Sequence, residues 1–186
     1  WYDINGNLTY TPKAADSKII GNIYPSHFGG WTNDFSYKGI SLNAFFQYEY
    51  GRVRQDGQQI NLSRNASTIG NGLTYMYDTR WQNPGDVVPT PRPFNGQTDY
   101  NSVSWATGTR YIYKTDYVRL KRVTLSYDVT APIAKKLHLQ GLRLYVQGVN
   151  LITYTEWPGY DPEFTGANTG TIPQTKSFTA GAQIRF

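Results

Sequence analysis

The chain has 186 residues, 16% of them aromatic and only 17% charged, with a net charge of +5 and a mean hydropathy of −0.55. The absence of Cys excludes a disulfide framework and thiol chemistry, and no apolar run approaches the roughly 18–20 residues of a membrane-crossing helix. Lys and Arg occur singly or in pairs rather than in a stripe, so nucleic acid is not an expected partner.

Residues 1–27 are polar and turn-rich. Trp1 stands mid-pattern with no initiator Met, as expected of a piece of a longer chain, and nothing here resembles a signal peptide. Asp3, Asn5 and Asn7 place oxygen side chains at alternate positions, the opening of a calcium loop, and Asp16 is the only nearby carboxylate that could complete it. Ala14 stands where a bidentate Glu belongs, and Leu8 where the sharp-turn Gly is expected. The expectation is therefore an Asx-rich turn. No cofactor is required, and structural Ca2+ on Asp3, Asn5, Asn7 and Asp16 is the sharper alternative.

From Phe28 the pattern has a period of two, the mark of a strand with one apolar face. Strands are predicted over 28–38 and 40–51, joined at Lys38-Gly39, with Trp31, Tyr37, Tyr48 and Tyr50 near the ends of the apolar faces. Membrane-interface girdles place aromatics there. Residues 52–114 hold few convincing strands. A short helix is expected near Gln58–Ala66, and Pro84, Pro89, Pro91 and Pro93 forbid a ladder. A connection of about sixty residues is foreign to a compact domain but normal for the outer loops of a membrane barrel.

Alternation returns over 115–129 with Val123, Leu125, Tyr127 and Val129, whereas Val118 and Leu120 are in the opposite phase. A bulge near Arg122, or emergence above the membrane, accounts for the switch. A short connection leads to a strand over 141–154, a turn-rich loop fills 155–175, and a last strand is predicted over 176–186. In that strand Phe178, Ala180, Ala182, Ile184 and Phe186 alternate with Ser177, Thr179, Gly181, Gln183 and Arg185. The loops alternate long and short. With the long ones outside, the last strand ends on the periplasmic side. The expected fold is all-β: a transmembrane antiparallel β-barrel segment with long extracellular loops, its Phe178, Ala180, Ala182 and Ile184 facing lipid. A secreted β-sandwich that binds carbohydrate through exposed Trp and Tyr is the competing reading.

No catalytic set is visible, so an enzyme is not expected. His27 and His138 are the only histidines, and Asp161-Pro162-Glu163 reads as turn chemistry rather than a glycosidase pair. Trp81, Arg92, Trp105, Trp157 and Tyr160 lie in the outer loops and are the candidate ligand contacts; packing of loop on loop would use the same rings.

Several blocks then match one family in order. They include Asp3-Ile-Asn-Gly, Phe28-Gly-Gly-Trp-Thr-Asn33, Phe35-Ser-Tyr-Lys-Gly39, Tyr117-Val-Arg-Leu-Lys-Arg-Val-Thr-Leu-Ser-Tyr127, Gly159-Tyr-Asp-Pro-Glu163 and the terminal strand. The chain resembles the C-terminal end of a SusC/RagA-type TonB-dependent outer-membrane transporter of a Bacteroidetes-like bacterium. Asn7-Leu8-Thr9 departs from the family's more acidic, Gly-containing pattern. The resemblance implies a barrel of roughly 22 strands, the size class with a plugged lumen, of which this chain supplies about the last five. It also implies import of large nutrients, glycan oligosaccharides or peptides, with a SusD-like surface lipoprotein and the TonB complex acting through a plug that is not in this sequence. A terminal aromatic such as Phe186 resembles the signal read by the barrel-assembly machinery.

Overall fold

The computed structural model describes residues 1–9, 11–62, 71–90, 92, 108–129, 131–136, 138–164 and 172–186. Its framework begins with a hairpin. Strands β1 (His27–Tyr37) and β2 (Ile40–Tyr50) pair in unbroken register from His27 opposite Tyr50 to Tyr37 opposite Ile40. Only Lys38 and Gly39 remain between them, with φ of 46° and 84°. Two successive positive φ values give the turn whose twist matches that of paired strands.

Short strands β3 (Val53–Gln55) and β4 (Ile112–Lys114) pair as a two-stranded ribbon, so the long connection leaves and re-enters at one place. Periodicity could not find them, because three residues carry no usable pattern. Strands β5 (Tyr117–Asp128), β6 (Gly141–Thr155) and β7 (Ser177–Arg185) complete a five-stranded antiparallel sheet in the order β1-β2-β5-β6-β7.

The register sorts the side chains into rows across the sheet. Tyr37, Ile40, Tyr127, Leu144 and Ala182 form one row; Phe35, Leu42, Leu125, Val146 and Ala180 form the next; then come Asn33, Ala44, Val123, Gly148 and Phe178. Beyond this point the register shifts. Arg122 pairs with Phe45 and Leu120 with Phe46, so Lys121 is skipped, and opposite it β6 skips Asn150 and Leu151. The bulge lies one residue before Arg122. It returns Leu120 and Val118 to the apolar side, beside Ile152 and Tyr154. Trp31 and Phe46, directly opposite each other, stack with ring centroids 4.9 Å apart. Rings cover two of the sheet's glycines: Tyr48 lies against Gly29 and Tyr145 over Gly181.

The apolar rows are open. Phe178 is 80% exposed, and Phe35, Ile40, Leu125, Leu144, Val146 and Ile184 are exposed as well. A sandwich would bury them under a second sheet, and none covers them among the described residues. The two ends of the strands also differ. At one end the Asp128 N–H, at the end of β5, donates to the Gly39 carbonyl of the hairpin turn at 2.8 Å. The 129–140 connection at this end carries helix α3 (Ala131–Lys136), which the sequence reading treats as plain connection. Long loops leave from the other end.

Two compact units divide the chain: the sheet unit, Asn22–Val53, Lys114–Phe164 and Ile172–Phe186, and a second unit, Trp1–Gly21, Arg54–Tyr113 and Thr165–Thr171. The second unit holds helices α1 (Gly57–Leu62) and α2 (Thr74–Asp78), with Met76, Thr90 and Tyr111 buried. Asp56 caps α1: its Oδ1 accepts the N–H groups of Gln58 and Gln59, each at 3.0 Å. This is the helix expected near Gln58–Ala66, begun one residue earlier; residues 63–66 lie outside the described residues.

Candidate functional site

The sheet's second face is polar and unevenly furnished. Toward the short-turn end its contacts join neighbouring strands: Asn43 Nδ2 donates to Asp34 at 2.6 Å, and Arg143 Nη2 to Ser126 Oγ at 2.7 Å. Toward the long-loop end, the segment that follows β6 folds back over this face and fills it with charge.

Asp161, Pro162 and Glu163 are the attachment points. Arg119, on the polar side of β5, is 3% exposed and grips Asp161 with both terminal nitrogens, at 2.8 and 3.4 Å. Its Nη1 also lies 2.6 Å from Glu163 Oε2. Lys121, the bulge residue, donates to both Glu163 oxygens at 2.9 and 3.2 Å. Gln47 Nε2 donates to Glu163 Oε1 at 2.8 Å, the Tyr117 hydroxyl donates to the same oxygen at 3.0 Å, and Gln174 Nε2 donates to Oε2. Between the two carboxylates, the Pro162 carbonyl accepts from Arg52 Nη2 at 2.5 Å, and Arg52 also pairs with Glu49 at 3.1 Å.

Burial alone would discourage ionisation of Asp161. The hydrogen bond from Arg119 and the backbone N–H groups of Glu163 and Gln174 outweigh it and hold the carboxyl below the usual carboxylate range. Asp161 also accepts the Glu163 N–H two residues on, at 2.9 Å. The turn chemistry read from Asp-Pro-Glu is therefore real, but it is half of what these residues do. Desolvated pairs of this kind add little net stability when intact, yet removing one partner costs about 3–5 kcal/mol, because the other charge stays buried. Arg119 Nε is itself buried with no acceptor among the described residues.

No protein-family model matches the chain. It is 32% identical over 199 residues to TonB-dependent receptor P3 of Formosa agariphila, covering 99% of this chain and 18% of that protein. Receptor P39 of the same organism is 27% identical over 87% of this chain and 15% of its own length. Among solved structures, the RagAB peptide importer in its open-open state matches with a TM-score of 0.76 and 26% identity, over all of this chain and 20% of that one. Its closed-closed state matches with a TM-score of 0.77 at the same identity, over 99% of this chain and 20% of that one. The chain belongs to the SusC/RagA-type TonB-dependent receptors. It spans about a fifth of the length of the proteins it matches, and its sheet is a stretch of the family's β-barrel wall.

In this receptor segment the candidate ligand contacts are divided between the two units. Trp81 is half-buried and Arg92 exposed, both in the second unit. In the sheet unit, Trp157 is 5% exposed with its indole laid against Gly159, so it is a packing residue that offers no open ring face. Tyr160, three residues on, is 66% exposed between that packed ring and the clamped Asp161. Trp105 lies outside the described residues. Phe178, Ala180, Ala182 and Ile184 share the apolar face, and Phe186 follows them, exposed.

The 1–16 turn closes on its own donors. Asp3 Oδ1 accepts the N–H groups of Asn5 and Asn7 at 2.9 and 2.7 Å, and its Oδ2 accepts Asn7 Nδ2 at 3.2 Å. The bond from Asn7 is the chief reason the Asp3 carboxyl lies below its usual range. Asp16 accepts the N–H groups of Ile4 and Lys13 at 2.9 and 2.7 Å. Among the described residues, no three His, Cys, Asp or Glu side chains are grouped to hold a metal ion.

Sequence reasoning missed Arg52, Arg119, Lys121, Gln47 and Gln174. One signal was available. Arg119 and Lys121 stand in strand β5 at the place where its alternation changes phase, and cations beside a phase break need partners from outside the strand.

Proposed function

We propose that this segment forms about the last five staves of an outer-membrane barrel of roughly 22 strands, its apolar rows facing lipid and its polar face lining the lumen. Within the whole receptor it serves TonB-dependent import of large nutrients, peptides or glycan oligosaccharides. A SusD-like lipoprotein covers the mouth, and TonB acts through the plug. The likeness to a peptide importer supports peptides as one cargo class. Tyr160, Trp81 and Arg92 are the ligand contacts in this reading, and Trp157 packs against Gly159, next to Tyr160 in the chain. Phe186 serves barrel assembly. The reading assigns the segment no catalysis and no cofactor, and protection of residues 1–27 from protease by calcium would reverse the second of these.

One observation carries the proposal: the apolar rows run across all five strands with no cover among the described residues, while the opposite face is polar and clamped. A wall between lipid and a wet lumen needs this division. The test uses single cysteines in the whole receptor in its membrane. Cysteines replacing Ala180, Ala182 and Ile184 should react with a lipid-phase maleimide, and those replacing Thr179 and Gln183 should not. Protection of the even positions from that probe would mean a packed core and would end the barrel-wall reading.

A further inference from the structure

Resting on the reading of the polar face as a transport lumen, we propose that Arg119 and Lys121 are positioning residues for passage. They keep residues 156–164 docked against the lumen wall as fixed lining, out of the path, and the segment does not open as a lid.

Three consecutive residues are tethered from the wall, by three different cations. Asp161 is held by Arg119, the Pro162 carbonyl by Arg52 and Glu163 by Lys121, with Gln47 and Tyr117 adding neutral donors to Glu163. The near end is pinned by the Thr155 hydroxyl, which donates to the Asp116 carbonyl at 2.7 Å and accepts the Trp157 N–H at 3.1 Å. On the far side, the Gln174 N–H donates to Asp161 Oδ2 at 3.1 Å.

Lids are drawn from the weakly held parts of a protein. Undocking this segment would leave the Arg119 guanidinium without both carboxylates at a site already closed to water, which is the costly way to break a buried pair. The docked segment turns Tyr160 outward while its neighbours face the wall, so the clamp also fixes where that ring stands.

The experiment uses the full-length receptor in outer-membrane vesicles, with a nitroxide on Tyr160→Cys. The label should be immobilised in the parent. Its rotation should quicken by about tenfold or more when the clamp is neutralised by Asp161→Asn with Glu163→Gln. Arg119→Lys, which keeps the charge but not the two-pronged grip, should fall between. In cells, the neutralised receptor at normal surface level should support several-fold slower growth on a casein digest or an oligosaccharide mixture. A label already mobile in the parent, or equally immobile after neutralisation, overturns the docking. Released motion with unchanged growth overturns the role in passage. If the double variant fails to assemble, Lys121→Gln, at the half-exposed edge of the cluster, should show the same change at smaller size, and its absence counts against the proposal. Unchanged growth on both nutrients after deleting the receptor gene would instead remove the transport reading and leave the docking result standing.

Discussion

The two faces of the five-stranded sheet are built on different principles. On the apolar face each residue meets its row neighbours in adjacent strands, and no single contact dominates. On the polar face, near the long-loop end, a few charges from distant parts of the chain hold one another: Arg119 and Asp161 are 42 residues apart, and Gln47 and Glu163 are 116 apart. The first arrangement spreads its energy over many side chains, so each position tolerates an apolar replacement. The second concentrates it, so loss of one member strands the rest.

That contrast can be broken most forcefully at Arg119. Arg119→Ala should cost about 3–5 kcal/mol, measured as denaturant-dependent proteolysis of residues 156–164 in the whole receptor. Ser36→Ala, on the same face at the short-turn end, should stay within about 0.5 kcal/mol. Equal effects would mean that the polar face is uniform after all. A charge on the other face comes next. Ala182→Arg should weaken folding into lipid vesicles by up to about 2–4 kcal/mol, less if the position lies near the interface, while Gln183→Arg changes it little. Indifference at position 182 would remove the distinction between the faces.

The smallest effect is one of pH. Because the Asp161 carboxyl lies below its ordinary value of 3.8 in the folded chain, its contribution is complete above that value. It is lost as pH falls through the lower, folded one. The docked segment should therefore be unchanged between about pH 5 and 8 and should loosen only below about pH 4, read by the mobility of a label at Tyr160. Loosening near neutrality would show that another group governs the clamp.

The strands were legible because a side-chain period of two is a local property. Phe178 to Phe186 and Leu42 to Tyr50 announce their faces without reference to anything else. The bulge was legible as a change of phase between Leu120 and Val123, and the structure places it at Lys121. Strands β3 and β4 were too short to carry a period, and α3 was hidden because its six residues are too few to show a helical one. Trp157 and Tyr160 looked equivalent in a Gly/Pro-rich loop, yet one is buried against Gly159 and the other stands out. That choice depends on where the loop lies, which composition does not encode.

The sequence by itself determined the all-β class, the two faces of each strand, the alternation of short and long connections and, through its ordered blocks, the family. Each of these follows from neighbours along the chain or from motif order. Only the tertiary structure decided that Asp161 and Glu163 are the partners of Arg119 and Lys121 rather than a plain turn. The physical reason is burial: a charge held out of water must be met by an opposite charge, and which one meets it depends on how the long-loop end folds back over the sheet.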